Sequence, residues 1–274
     1  MWQILLIFGE TILLSCSFYL VPKKYKQRDR DDSVVIILRT IILSVFILLV
    51  SLVHKAIFRF DVVSEAEIWG LYNPRFLLIL ITTCIHIIIL FSGTLVKVYY
   101  WSRITATSFA STLLDTCNYN YSLCIDLRNL VFSPLLEELL YRGNMLPFLL
   151  HSGFSLPKAV WFSSIAFGSC HFHHLFSFLQ NGYPLVRALL QCCFMFTYTT
   201  LFGVLVSYVY VRTGNLLAAG LVHSLCNFFS IPSFEYNRPS SPLYSKRTII
   251  NGAYVVGVIL FIVLFPILLN PQWC

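Results

Sequence analysis

The sequence predicts an all-α, polytopic membrane protein with about eight transmembrane helices, on three observations. Of its 274 residues 58% are hydrophobic and only 11% charged, with a mean hydropathy of +0.77, outside the range of soluble globular domains. The apolar residues fall into runs close to the roughly 20 residues that cross a bilayer core. The ionisable residues inside those runs are grouped rather than scattered.

The first run, residues 3 to 21, has no basic segment before it and no small-residue cleavage pattern after it, so it reads as a retained helix and not a signal peptide. The basic stretch KKYKQRDR follows it. The second and third runs, 34 to 53 and 76 to 100, are largely aliphatic and aromatic, whereas polar residues interrupt the fourth and fifth, 123 to 150 and 157 to 176. The sixth, seventh and eighth cover 185 to 212, 215 to 232 and 249 to 269. No soluble region of any size remains between them and no internal repeat is visible, so residues 1 to 274 read as one membrane domain.

Cytosolic loops collect Lys and Arg. With the N-terminus outside, Lys23, Lys24, Lys26, Arg28, Arg30, Lys97, Arg103, Arg238, Lys246 and Arg247 are cytosolic, against Lys55, Arg59, Arg75, Lys158 and Arg212 opposite. The net charge of +7 is thus a topology signal, and nucleic acid is not an expected partner. The nine cysteines form no CxxC pair and are odd in number, which gives neither a disulfide framework nor a zinc ribbon.

An ionisable side chain at mid-bilayer costs about 2.5–3.5 kcal/mol on insertion scales, so each is a functional hypothesis. Arg39, in VVIILRTII, is close enough to the basic loop to snorkel toward the headgroups. Glu10 and His86 stand alone and are unassigned. In LLEELLYRG (135 to 143), Glu138 and Arg142 have the i,i+4 spacing of a helix ion pair. Glu137 is turned about 100° away and lacks a charged helical neighbour, and a carboxylate without a cation in apolar surroundings suits a general base. In FGSCHFHH (167 to 174), His171 and His174 share a helix face, Phe167 sits one turn before His171 and can position its ring, and His173 and Cys170 point elsewhere. In LVHSLCNFF (221 to 229), His223 and Asn227 share a face; they suit either donation to a developing oxyanion or an interhelical hydrogen bond. Three runs with one polar cluster each are most economically joined in a single site. Glu137 lies near mid-membrane and His171 and Asn227 toward the cytosolic ends, which predicts a cavity open to the cytosol.

The order EELLYR (137 to 142), FGSCH (167 to 171) and HSLCN (223 to 227) resembles the type II CAAX prenyl endopeptidase family. The flanking SSIAFGSCHFHH (163 to 174) and the stretch 200 to 232 are similar to its eukaryotic branch, the Ras-converting endopeptidases. The likeness is strong over about residues 100 to 232, which would form the catalytic core, and rests only on hydrophobic layout over the first 75.

The resemblance implies an eight-helix intramembrane protease of the endoplasmic reticulum with its site facing the cytosol. It would remove the last three residues of prenylated CAAX proteins such as Ras-like small GTPases, delivered through membrane lipid. By the same resemblance Glu137 would be the general base, His171 would hold the water, and His223 and Asn227 would form the oxyanion hole. Glu138 and Arg142 would support the geometry, with Phe167 and His174 beside them, and neither cofactor nor metal is implied. Two other chemistries are open to the residues: zinc on two histidines and a glutamate, although HExxH is absent, and a thiolate at Cys226, three residues after His223. A proton-relaying transporter or a noncatalytic scaffold are the readings from other classes.

Overall fold

The computed structural model describes residues 1–17, 20–25, 28–29, 31–58, 71, 73–117 and 119–269. Lys26, Arg30 and Arg59 of the orientation count, and residues 18 and 19 of the first apolar run, lie outside the described residues. Within them the ordered elements are helices: α1 (Trp2–Ser17), α2 (Ser33–Phe58), α3 (Phe76–Leu90), α4 (Ser92–Thr105), α5 (Phe109–Thr116), α6 (residues 123–151), α7 (Leu156–Cys170), α8 (His174–Gln180), α9 (Leu185–Thr213), α10 (Leu216–Phe229) and α11 (Arg247–Leu268).

Among the described residues, three helical stretches are long and apolar enough to span a bilayer, at Ser33–Ile57, Leu185–Thr213 and Tyr244–Leu268. A fourth span exists if α3 and α4 count as one, bent by 66°. The bend is a departure from the single run 76 to 100, and its cause lies in the residues around it. Phe91 sits between the two helices, Ser92 Oγ donates to Ala253 O at 2.8 Å, and a Cβ on Gly93 would overlap the Tyr254 ring. The missing side chain thus lets α4 lie against α11. The fifth run also breaks: α7 stops at Cys170, a 3-10 turn covers His171–His173, and α8 restarts at His174.

Two apolar clusters are built around α9. One gathers α1, α2, α7 and the second half of α6, including Ile7, Leu14, Ile47, Leu140 and Phe148; the other gathers α3, α10 and α11 with Val206 and Val209 of α9. Their outward faces keep large aliphatic side chains exposed, such as Ile41, Leu48, Leu190 and Ile262, which is what a lipid-facing surface requires. α7 packs closely on α9, where a Cβ on Gly168 would meet Thr200 Oγ1 and approach Phe196 O to 2.9 Å. Gly168→Val therefore forces the two helices apart, and a loss of about 1–3 kcal/mol is expected, read as a lowered unfolding midpoint in detergent. Unchanged stability would contradict the close approach.

End-to-end pairings fix how α1, α2 and α6 run. Arg128 Nη1 bonds Asp31 Oδ1 at 2.7 Å where α2 and α6 begin, and His54 stacks on Phe148 with ring centroids 4.2 Å apart toward their ends, so the two are parallel. α1 runs the opposite way, with Trp2 against Phe148, Glu10 Oε1 2.9 Å from His54 Nε2, and Ser15 Oγ donating to Cys170 O at 3.3 Å. Glu10 thus has a buried histidine partner. His86 lies between the rings of Phe261 and Phe265, joining α3 to α11.

Candidate active site

Helix α6 carries the central residues, and two prolines shape it. A proline inside a helix lacks the N–H and collides with the carbonyl four residues earlier, so Pro134 disturbs Leu130 and Pro147 disturbs Gly143. The chain responds with two π-helical stretches, Arg128–Phe132 and Leu139–Met145, without leaving helical backbone angles at the junctions. Leu130 O, deprived of its helical donor, accepts from Ser224 Oγ, and Asn129 O accepts from Asn227 Nδ2 at 3.0 Å. These two bonds attach α10 to α6. The α-helical turn Ser133–Glu138 is held between the two disturbances.

On that turn Glu138 is fully buried, and its expected partner is present. Arg142 Nη1 lies 2.9 Å from Glu138 Oε2, both side chains being 0% exposed. The guanidinium also donates to Gly203 O at 2.8 Å and to Ser207 Oγ at 3.3 Å. Its approach depends on Gly203, where an added Cβ would come within 3.1 Å of Arg142 Nη2. Gly203 and Ser207 carry no ionisable group to mark them in the sequence, although their i,i+4 spacing puts them on one face of α9.

His223 joins the same network. Its Nδ1 is 2.7 Å from Glu138 Oε1, and its Nε2 is 3.9 Å from Glu137 Oε2. The first contact makes Nδ1–H a donor to the carboxylate. Nε2 can then also donate only when the ring is imidazolium. Glu137 is therefore not without a neighbour, as helix spacing alone suggested: its partner comes from α10. Phe167 is the common packing surface, with its ring edge-on to His171 (5.2 Å), His223 (5.9 Å) and Tyr141 (5.1 Å), and with the Arg142 guanidinium over it at 4.9 Å.

Glu137 itself, 23% exposed, faces a cavity of about 570 Å³. Its walls include Leu14 of α1, Val35, Arg39 and Leu43 of α2, Arg128, Asn129 and Ser133 of α6, and His171, His173 and His174. His171 Nδ1 lies 3.1 Å from Phe167 O. A carbonyl only accepts, so Nδ1 carries the proton and Nε2 is left as the acceptor. Tyr25 and Arg28, from the basic stretch after α1, also line the cavity.

Three expectations are corrected here. His173 does not point elsewhere: the 3-10 turn brings it to the cavity wall, with its ring 4.1 Å from that of His174, against 6.3 Å between His171 and His174. Cys170 does not point away from His171, since its Sγ is 3.3 Å from His171 Nδ1. Arg39 lines the cavity rather than simply reaching for headgroups.

The polar groups thus converge, but not on one surface. Glu137, His171 and His174 border the cavity, His223 touches both Glu137 and Glu138 from α10, and Asn227 gives one amide hydrogen to Asn129 O and retains a second. Cys226 packs with the apolar cluster of α3, α10 and α11. Among the described residues, no group of three or more His, Cys, Asp and Glu side chains is arranged to hold a metal ion.

Fold and site together define a multi-pass helical membrane protein with a buried carboxylate, histidine and arginine network beside an internal cavity. Residues 118–229, which contain that network, match the model of the family described as type II CAAX prenyl endopeptidase Rce1-like. That match covers less than half of this chain. It is similar to CAAX prenyl protease 2 of Homo sapiens, 35% identical over 147 residues, which are 53% of this chain and 43% of that protein. The protein of the same name from Saccharomyces cerevisiae is 38% identical over 128 residues, 44% of this chain and 41% of the relative. A probable CAAX prenyl protease 2 of Schizosaccharomyces pombe is 28% identical over 234 residues, 84% of this chain and 81% of its own length. The chain therefore spans less than half the length of the human and budding-yeast relatives that it matches. No solved structure matches it.

Proposed function

We propose that this chain is an intramembrane endopeptidase that removes the C-terminal tripeptide from prenylated CAAX proteins, Ras-like small GTPases among them, using water activated by Glu137. The observation that carries this reading is the position of Glu137: it faces the cavity, with His171 on the same lining and His223 Nε2 3.9 Å away. The catalytic unit comprises residues 100–232 within a single membrane domain spanning 1–274.

The chemistry follows from hydrogen-bonding capacity. Water donates one hydrogen to Glu137 and the other to His171 Nε2, whose lone pair is available because Nδ1–H is given to Phe167 O. As oxygen attacks the scissile carbonyl carbon, Glu137 takes the proton. The oxyanion accepts from His223 Nε2–H and from the second amide hydrogen of Asn227. Glu138 accepts from His223 Nδ1–H and so orients the ring, with Arg142 and Phe167 positioning the pair. Collapse breaks the C–N bond, and Glu137 returns its proton to the leaving amine.

A prenyl chain adds about 0.8 kcal/mol of membrane affinity per buried CH₂, so the substrate tail arrives already in the bilayer. The basic stretch that supplies Tyr25 and Arg28 to the cavity supports a cytosolic opening, and the family likeness supports the endoplasmic reticulum as the membrane.

The test is tripeptide release from a farnesylated CAAX peptide by membranes containing the chain. Release is expected to persist in EDTA and in Cys226→Ala at no less than about half the wild-type rate, because the proposed route uses neither metal nor thiol. Loss in EDTA with recovery on added zinc, or loss in Cys226→Ala with the protein still folded, would replace the glutamate route. No release by the wild type would overturn the function.

A further inference from the structure

We propose that Arg39 binds the C-terminal α-carboxylate of the peptide being cut and so measures the three residues that are removed; this rests on the endopeptidase reading above. Arg39 stands on the cavity wall with Val35, Ile36, Thr40 and Leu43 of α2.

Its depth matches that of Glu137. α2 and α6 are parallel and are joined at Asp31 and Arg128. Arg39 is eight residues beyond the first and Glu137 nine beyond the second, each about 12–14 Å along at 1.5 Å per residue. α2 packs on the segment of α6 that carries Glu137, and the axes of packed helices are about 8–10 Å apart. Three extended residues reach at most about 10 Å. A tripeptide whose first bond lies at Glu137 can therefore cross the cavity and bring its terminal carboxylate to the α2 wall. Arginine suits that end of the substrate because its planar fork meets a carboxylate through two charge-assisted hydrogen bonds.

The experiment compares one farnesylated CAAX peptide as the free acid and as the C-terminal amide, with the full-length chain in membranes. For the wild type, kcat/KM is expected to be about tenfold or more lower for the amide, mainly through KM, since the carboxylate is remote from the reacting bond. In Arg39→Gln the acid-to-amide ratio falls toward one, and Arg39→Lys, a point charge without the fork, gives an intermediate ratio. Each ratio is taken within one protein, so differences in folded amount cancel. Equal use of acid and amide by the wild type overturns carboxylate recognition, while leaving the endopeptidase reading intact. A full preference in Arg39→Gln overturns the assignment to Arg39. Should Arg39→Gln cut neither peptide, Arg39→Lys decides, a wild-type ratio there counting against the proposal. No cleavage of either peptide by the wild type overturns the endopeptidase function, and the role of Arg39 falls with it.

Discussion

Glu137→Gln is expected to lower kcat for tripeptide release by about 10³-fold, within the range for losing a general base, with little change in KM. The amide keeps the shape of the side chain and its place on the cavity wall, but it cannot take a proton from water at neutral pH. The effect falls on the step in which oxygen attacks carbon and not on substrate capture, which membrane anchoring of the prenyl chain and the rest of the cavity would preserve. Because Glu137 is partly exposed to the cavity and makes only a long 3.9 Å contact with His223, the unfolding midpoint should stay near that of the wild type. Activity above a tenth of wild type, with farnesylated peptide and a folded protein, would remove Glu137 as the base. A joint fall of activity and stability would instead make it a structural residue.

How much of this was legible beforehand depends on whether a contact is local. The Glu138–Arg142 pair was, since i,i+4 spacing survives a π-helical stretch well enough for a long arginine to reach its partner at 2.9 Å. Phe167 against His171 was legible for the same reason. The His223–Glu138 bond was not: spacing assigns His223 and Asn227 to one face but cannot say which α6 group each meets. In the fold they separate, His223 to the two glutamates and Asn227 to a carbonyl that the Pro134 disturbance leaves beside α10. Pro134 and Pro147 were visible in the sequence and are the signal from which that disturbance could have been anticipated. Unbroken α-helical spacing misdirects His173 and Cys170 because a 3-10 turn begins at His171. Distance from the basic loop says nothing of what lies across the helix, and so does not place Arg39 on the cavity wall. Run lengths, likewise, count apolar residues and not hydrogen-bond continuity, which is why the 66° bend at Phe91 was not foreseen.

Arg142→Met should be the most destabilising substitution at the site, by about 3–5 kcal/mol, because it strips the cation from a carboxylate taken wholly out of water. Glu138 is 0% exposed, and His223, its other partner, offers only one N–H. Methionine fills much of the arginine volume, so the loss would be electrostatic rather than a cavity, while Gly203 O and Ser207 Oγ also lose a donor. The distinguishing measurement is a double-mutant cycle with Glu138→Gln, followed by unfolding in detergent. If the buried charge is what destabilises, the double variant recovers much of the stability, with a coupling of at least about 1 kcal/mol. If volume or backbone contacts are responsible, the two effects add. The same double variant separates stability from catalysis, since it restores charge balance but not the carboxylate that orients the His223 ring through Nδ1. Cleavage should therefore stay low after stability returns, whereas recovery of both together would mean that Glu138 serves the fold alone and that His223 donates to the oxyanion without its help.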